Sequence, residues 1–259
     1  MRVLFLGDIV GSPGRKALRL FLPGLLEEFR PHFVIGNAEN AAGGYGLTEK
    51  IAEELFALGL DLLTSGNHIW KREFLPYLAR SERVLRPANY PEGAPGRGAT
   101  VLEKDGRKLA VINLEGRVFM RALQCPFRTA AALAEELRLE TPCILVDFHA
   151  EATSEKIALS WYLDGRVSAL IGTHTHVQTA DARILPQGTA YLSDAGMCGL
   201  RDGVIGMDRK QALEMYLTQV PRRLEVPKKG TVKAEGVFLE LEEESGRALR
   251  IETFRREES

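Results

Sequence analysis

The chain has 259 residues, of which 45% are hydrophobic and 27% charged, and its formal net charge at pH 7 is −1. A chain of this size can bury a large core without disulfide bonds, and its three scattered cysteines do not indicate a disulfide framework. Its near-zero charge excludes a general attraction to nucleic acid or a membrane surface. The first apolar run reaches Asp8 too soon for a signal peptide, and no stretch approaches the roughly 20 apolar residues of a membrane span, so we expect a cytoplasmic protein.

Strands and helices alternate over the first part of the chain. Each predicted strand is a short apolar run that ends near glycine or a polar residue, and each predicted helix repeats apolar residues at three- and four-residue intervals. The predicted strands are residues 2–6, 32–35 and 60–64. We expect Ser12 and Thr48 to cap the two intervening helices, with Pro13 at the first helical position of the first. This alternation predicts an α/β fold with largely parallel strands.

A hairpin and a second group of elements follow. Asp105-Gly106 lies between the strand candidates 101–103 and 109–112, which is a strong signal for a β-hairpin. The further predicted elements are a short helix around 74–78, helices at 126–139 and 154–163, strands at 144–146, 167–171 and 189–192, a helix capped by Asp208 that carries Leu213 and Leu217, and a closing hairpin around Ser245-Gly246. We find no repeat and no linker. We therefore predict one domain over residues 1–259. Whether residues of about 72–125 form a small subdomain that contains the hairpin is left undecided by the sequence.

Five predicted strands are followed within about two residues by a side chain that can bind a metal ion. These side chains belong to Asp8, Glu39, Asn67, His149 and His174. Ligands of open α/β sheets bind outside the carboxyl ends of strands, so we expect these residues to converge on one edge. His176 lies two residues after His174, and on a continuing strand the two side chains would point to the same face.

Each of these residues has an ordinary structural interpretation when taken alone. Asp8 could cap a helix, Asn67 could belong to a turn, and His149 could be a core histidine. Their joint occurrence favours a shared metal site. Carboxylate, imidazole and amide ligands without thiolate suit Mn, Fe, Zn or Mg, and the set is too large for one tetrahedral ion. Two metal ions roughly 3.5–4 Å apart suit the hydrolysis of phosphate esters.

The order of these residues resembles the calcineurin-like metallophosphoesterase superfamily, which has D-x-H, G-D, G-N-H-[DE], H and G-H-x-H blocks. Val10 stands where the first block has its histidine, and Glu39 stands where an aspartate usually bridges the metals. Both departures match the YmdB-like branch, which the chain resembles over nearly its whole length. The segments that carry this resemblance are Gly7-Asp8-Ile9-Val10-Gly11, Asn37-Ala38-Glu39-Asn40, Gly66-Asn67-His68, Gly172-Thr173-His174-Thr175-His176 and Asp194-Ala195-Gly196-Met197. The resemblance implies an αββα four-layer sandwich and a phosphodiesterase that acts on 2′,3′-cyclic nucleotides.

The resemblance also implies a role for each metal ligand. The first metal would be held by Asp8, His176 and Asn40, the bridge would be Glu39, and the second metal would be held by Asn67, His149 and His174. Iron or manganese is the expected metal, with magnesium or zinc as alternatives. Asp147 and Glu151 flank His149. Each could either support a metal ligand by a hydrogen bond or be an ordinary surface charge, and the sequence does not favour one interpretation.

His68 is the predicted catalytic residue. The resemblance implies that it faces the phosphate and protonates the leaving oxygen while a hydroxide held between the metals attacks phosphorus. Most of the superfamily has an orienting acid after this histidine, whereas Ile69 follows here, so an electrostatic role is the competing interpretation. His32, the remaining histidine, opens a predicted strand after Pro31 and is interpreted as structural.

Two other functions stay open at this point. The same metals would serve a phosphomonoesterase or nucleotidase, because the walls of the pocket rather than the metals select the substrate. A regulatory protein could instead use the site to hold a nucleotide or RNA with little turnover, although the near-neutral charge argues against broad nucleic-acid binding. A phosphoester or nucleotide is the expected partner in each case, no membrane partner is expected, and a homo-oligomer stays open.

Overall fold

The computed structural model describes residues 1–258, apart from the side chain of Arg72. In chain order the strands are β1 (Arg2–Leu6), β2 (Asp8–Ile9), β3 (Phe33–Asn37), β4 (Leu62–Thr64), β5 (Ala99–Lys104), β6 (Arg107–Glu115), β7 (Ile144–His149), β8 (Ala169–Thr173), β9 (Arg183–Ile184), β10 (Ala190–Leu192), β11 (Met197–Leu200), β12 (Val232–Leu241) and β13 (Ala248–Glu257). The helices are α1 (Gly11–Phe29), α2 (Glu49–Ala57), α3 (Leu75–Arg80), α4 (Pro126–Leu137), α5 (Thr153–Tyr162) and α6 (Arg209–Thr218), and a 3₁₀ turn at Arg72–Phe74 leads into α3.

Two sheets contain all of the strands that the structure describes. The first has the order β2-β11-β12-β1-β3-β4, with β13 paired to β12, and the second has the order β5-β6-β7-β8-β10-β9. Strands β1, β3 and β4 are parallel in the first sheet, and β6, β7, β8 and β10 are parallel in the second. The loops that follow parallel strands meet at one edge of their sheet, which is where α/β proteins build their sites.

The layers of the fold follow from three clusters of buried apolar side chains. One cluster lies between helices α1–α3 and the outer face of the first sheet, and another lies between the second sheet and helices α4 and α5. The third fills the space between the sheets. Strand β1 divides its side chains accordingly, because Leu4 and Leu6 face the helices whereas Val3 and Phe5 face the second sheet. This order of helix, sheet, sheet and helix confirms the predicted α/β fold of the αββα four-layer type.

The predicted hairpin is confirmed as β5 and β6, which pair antiparallel. Its turn residues Asp105 and Gly106 have φ angles of 52° and 74°, the left-handed conformation that a two-residue hairpin turn requires. Strand β6 then runs to Glu115 and joins the second sheet beside β7. The single domain over residues 1–259 and the small subdomain at about 72–125 stay predictions.

The helix caps agree with the sequence in two cases and differ in one. Thr48 accepts a hydrogen bond from the Ile51 amide at 3.3 Å, and Asp208 accepts one from the Gln211 amide at 2.9 Å. The prediction of Ser12 as a cap is wrong, because α1 begins at Gly11 and Val10 occupies the cap position without a side-chain hydrogen bond. The Val10 amide donates to the carbonyl of Cys198 in β11, so strand pairing fixes where this helix begins.

The predicted helix that Asp208 caps is confirmed as α6. Leu213 and Leu217 are exposed, and Ala212 is the residue of this helix that is buried. The apolar side chains of α6 therefore mostly face solvent. Among the described residues, no helix combines the length and the apolar character needed to cross a membrane.

Candidate active site

The structure brings all of the predicted site residues together at one edge of the two sheets. Each follows or ends a strand: Asp8 lies after β1, Glu39 and Asn40 after β3, Asn67 and His68 after β4, His149 at the end of β7, and His174 and His176 after β8. Their side chains are buried or half-buried. The expected convergence at carboxyl ends of strands is therefore observed for residues that lie up to 168 positions apart in the chain (Asp8 to His176).

The ligand atoms form two groups, which we number after the two metals in the predicted assignment. The second group surrounds the Nε2 atom of His149. This nitrogen lies 3.2 Å from Asn67 Oδ1, 3.0 Å from His174 Nδ1 and 3.2 Å from Glu39 Oε1. Ligand atoms of Glu39, His149 and His174 all lie within 4.8 Å of one another. We define Asn67, His149 and His174 as the second group.

The first group of ligand atoms also contacts Glu39. His176 Nε2 is 3.7 Å from Asp8 Oδ1 and 3.2 Å from the Asn40 amide nitrogen. The same Asn40 nitrogen donates to Glu39 Oε1 at 3.0 Å. We define Asp8, Asn40 and His176 as the first group. Glu39 therefore contacts both groups with a single carboxylate.

The electrostatics of the site fit a bound cation. Asp8 Oδ1 is buried and has no hydrogen-bond partner among the described residues, an arrangement that is costly unless a positive ligand satisfies it. Burial raises the pKa of Glu39, but the facing imidazoles of His149 and His68 outweigh burial and hold that pKa well below its usual range. Burial lowers the pKa of His149, but the carboxylates of Glu39 and Asp8 raise it to about 9. The surroundings thus stabilise positive charge between these side chains.

A buried relay supports His149 from behind. Its Nδ1 atom lies 2.9 Å from Thr173 Oγ1, and the Thr173 hydroxyl donates to Asp147 Oδ1 at 2.7 Å. Because the hydroxyl proton is directed at Asp147, Nδ1–H of His149 must be the donor to Thr173, which leaves Nε2 as the ring nitrogen that faces the second group. Asp147 is thus a buried supporting residue. Glu151, half exposed, instead places Oε2 3.1 Å from His174 Nε2 at the rim.

Replacing Thr173 with valine is expected to weaken metal binding about 10- to 100-fold, which is the usual effect of losing a hydrogen-bonded partner behind a histidine ligand. Valine keeps the shape of threonine but accepts no proton from His149 and donates none to Asp147. Titration calorimetry with Mn²⁺ measures the change. Thr141→Val is the matched control, because Thr141 is a buried threonine whose hydroxyl donates to the Lys108 carbonyl at the opposite end of β7. Equal affinities for wild type and Thr173→Val would contradict the relay.

The turn that carries His174 and His176 differs from the sequence prediction. Strand β8 ends at Thr173, and the two histidines have φ angles of 103° and 64°, so the expectation of a continuing strand is wrong. Both side chains nevertheless reach the site, because the turn is held from two sides. The His174 amide donates to Asp8 Oδ2 at 3.0 Å, and the Thr175 amide donates to Asp194 Oδ2 at 3.0 Å.

Sequence reasoning missed Lys156, which completes the support of this turn. Its fully buried ammonium group donates to the Thr173 carbonyl and to Asp194 Oδ2, each at 2.9 Å. Glu115 was missed as well: it lies beside His149 in register, its Oε2 accepts from Tyr90, and its Oε1 is buried without a partner among the described residues. A lone lysine in a helix carries no sequence signal of such a role, and Glu115 lies three residues beyond the predicted strand 109–112, although β6 extends to it.

His68 is oriented by residues of the neighbouring loop. Its Nδ1 atom lies 2.8 Å from Asn40 Oδ1, its backbone amide donates to Glu39 Oε2 at 3.0 Å, and its ring packs against Tyr45 with 4.0 Å between ring centroids. Ile69 is fully buried and takes no part. The orienting group that the sequence lacks at position 69 is therefore supplied from the loop after β3.

Comparisons with known proteins agree with this geometry. A family model described as YmdB-like protein matches residues 4–254. A 2′,3′-cyclic-nucleotide 2′-phosphodiesterase of Bacillus subtilis (strain 168) is 50% identical over 253 residues, which are 97% of this chain and 96% of that protein. A solved structure of a hypothetical protein from Thermus thermophilus has a TM-score of 0.93 and 43% identity over 100% of both chains. The structure of a novel phosphatase from Mycoplasma pneumoniae also has a TM-score of 0.93, with 34% identity over 99% of this chain and 93% of that one.

Proposed function

This chain belongs to the YmdB-like protein family, and we propose that it hydrolyses 2′,3′-cyclic nucleotides with two metal ions, one held by each group of ligand side chains. Its relationship to the B. subtilis enzyme makes it a phosphodiesterase. The observation that carries the dinuclear proposal is the position of Glu39, whose carboxylate contacts both groups. A carboxylate shared by two clusters of nitrogen and oxygen ligands is typical of two-metal hydrolases.

The ligand assignment follows the two groups. The first metal would be held by Asp8, Asn40 and His176, the second by Asn67, His149 and His174, and Glu39 would contact both. Iron or manganese suits these ligands better than calcium, which prefers oxygen ligands alone. When bound, the two ions would lower the pKa of a water molecule and neutralise charge that develops on the phosphoryl oxygens.

His68 would deliver the proton that the leaving oxygen needs. Hydrolysis of the cyclic ester breaks the bond between phosphorus and one ribose oxygen, and that oxygen leaves as an alkoxide unless it is protonated. Glu39 Oε1 lies 3.1 Å from Nδ1 of His68 and accepts from Nδ1–H, so a proton transferred from His68 departs from Nε2 and the ring ends neutral. Tyr45 packs against the ring and keeps its plane fixed.

Asn40→Ala is expected to lower the occupancy of one metal and to leave the other in place. The amide is a neutral and weaker donor than imidazole, so the first metal should already be the looser of the two. As a ligand, the Asn40 oxygen must face His176, which is the reverse of the amide orientation described above. Elemental analysis of the variant checks the assignment. Equal loss of both metals, or of neither, would contradict it, and loss of turnover at full occupancy would instead assign Asn40 to His68 alone.

A substrate panel tests the proposed function. The purified full chain with added Mn²⁺ is expected to hydrolyse 2′,3′-cyclic nucleotides faster than nucleoside monophosphates. Faster release of phosphate from monophosphates would make the chain a phosphomonoesterase. Tight nucleotide binding without turnover would make it a regulatory binding protein.

A further inference from the structure

The cavity at the candidate active site has two walls of unlike chemistry. Its volume is about 350 Å³, and one wall is formed by polar residues of the site, including His68, His174 and His176. Another part of the lining is formed by Ile205, Met207 and Tyr216, which we call the apolar wall. The proposed reaction uses nothing on this second wall. A pocket with charged groups on one side and apolar groups on the other selects a ligand with the same division.

Ile205 occupies the apolar wall in a strained conformation. Its φ angle is 47°, in the left-handed region that β-branched residues rarely adopt, and its side chain is 45% exposed. Two sets of hydrogen bonds hold it there: His176 Nδ1 donates to the Ile205 carbonyl at 2.9 Å, and Val204 and Met207 exchange backbone bonds of 3.0 and 2.9 Å. Strain that is held in place by a site residue, and that leaves an apolar side chain in water, points to a binding role.

Tyr216 completes the wall from helix α6. Its side chain is 63% exposed, and the helix around it buries Ala212, so the ring is not part of the hydrophobic core. It borders the cavity all the same. An exposed aromatic ring beside a site for phosphate is suited to stacking on a flat heterocycle, an interaction that every nucleobase can make.

We propose that the apolar wall binds the base of the substrate, so that the chain selects nucleoside cyclic phosphates over cyclic phosphates of sugars without a base. This inference rests on the proposed function, because it assumes that the phosphate lies at the polar wall. Tyr216 stacks on the base, and Ile205 and Met207 cover its edge. Stacking does not depend on the pattern of hydrogen-bond donors, so the four bases are accepted with little discrimination.

The test compares adenosine 2′,3′-cyclic phosphate with methyl riboside 2′,3′-cyclic phosphate, which has no base. Tyr216→Ala lowers the ratio of kcat/KM between these substrates about 10-fold, the expected loss for one stacked base. Tyr216→Phe restores the ratio because it keeps the ring. Leu217→Ala is the matched control, since Leu217 is 84% exposed on the same helix and does not line the cavity. An unchanged ratio in Tyr216→Ala overturns the proposal.

A second variant separates binding from stability. Ile205→Gly removes the side chain and also the left-handed strain, so it lowers the same ratio while Tm stays equal or rises. A lower Tm with an unchanged ratio overturns the role of Ile205.

If the wild-type protein hydrolyses neither cyclic phosphate, the proposed function is wrong, and calorimetry with adenosine 3′-phosphate still tests the apolar wall. Weaker binding by Tyr216→Ala than by Leu217→Ala supports it, and equal binding overturns it.

Discussion

Glu39→Gln is expected to lower turnover of a cyclic nucleotide at least about 10³-fold and to reduce metal content from two ions to one or fewer. Glutamine has nearly the shape of glutamate, but it removes the negative charge that lies between the two groups of ligands. Glu39 Oε1 is 3.2 Å from His149 Nε2, and the carboxylate is almost fully buried, so water cannot replace the lost charge. Elemental analysis and kcat/KM of the same preparation measure both effects.

The matched control for this variant is Glu151→Gln. Glu151 also faces a site histidine, with Oε2 3.1 Å from His174 Nε2, but its side chain is 50% exposed and water screens its charge. We expect Glu151→Gln to keep both metals. If the two glutamine variants lose metal equally, the loss reflects total charge near the cavity, and the special position of Glu39 is contradicted.

His68→Ala is expected to keep both metals and to slow hydrolysis of a cyclic nucleotide by about 10²–10⁴-fold, the range of general acid catalysis. The loss should be much smaller for a nitrophenyl phosphodiester, because nitrophenolate leaves without a proton whereas a ribose oxygen does not. His68 reaches the cavity, and its Nδ1 atom lies 3.1 Å from the buried Glu39 Oε1, which orients the ring as an acid requires. Steady-state kinetics on both substrates, together with metal analysis, check this expectation.

His32→Ala is the control for the second prediction. His32 accepts a hydrogen bond from the Arg2 amide at 2.9 Å just before β3 begins, at the opposite end of that strand from Glu39, and it has no contact with the site. An equal loss on both substrates in His68→Ala would assign His68 to electrostatic stabilisation of the phosphoryl oxygens. Loss of metal in that variant would make His68 a ligand and would contradict its role as an acid.

Local signals in the sequence predicted the α/β class and the strand-end residues of the site, whereas the four layers and the roles of Asn40 and His68 were implied by the family resemblance. Apolar periodicity identified the longer strands and helices, and the rule that sites form at carboxyl ends of strands brought Asp8, Glu39 and His149 to one edge. The short strands β2, β9 and β11 were not predicted. They have two to four residues and exist because neighbouring strands offer free backbone groups, which no local pattern records.

The support behind the ligands could not be predicted for the same reason. Lys156 is an ordinary helical residue in the sequence, and its buried pairing with Asp194 exists only in the folded chain. The turn at His174 takes a left-handed backbone because Asp8 and Asp194 accept from its amides, although the sequence reads as a continuing strand. Such contacts join residues that are distant in the chain, so they become visible only once the topology is known.

Metal analysis of the purified full chain, followed by hydrolysis of a 2′,3′-cyclic nucleotide before and after chelation, tests the central claim most directly. We expect about two ions of iron or manganese per chain, loss of turnover when both are removed, and recovery when Mn²⁺ is returned. Undiminished turnover by the metal-free protein, or a protein that cannot be loaded with either metal, would contradict the assignment of Asp8, Glu39, Asn40, Asn67, His149, His174 and His176 as a dinuclear metal site.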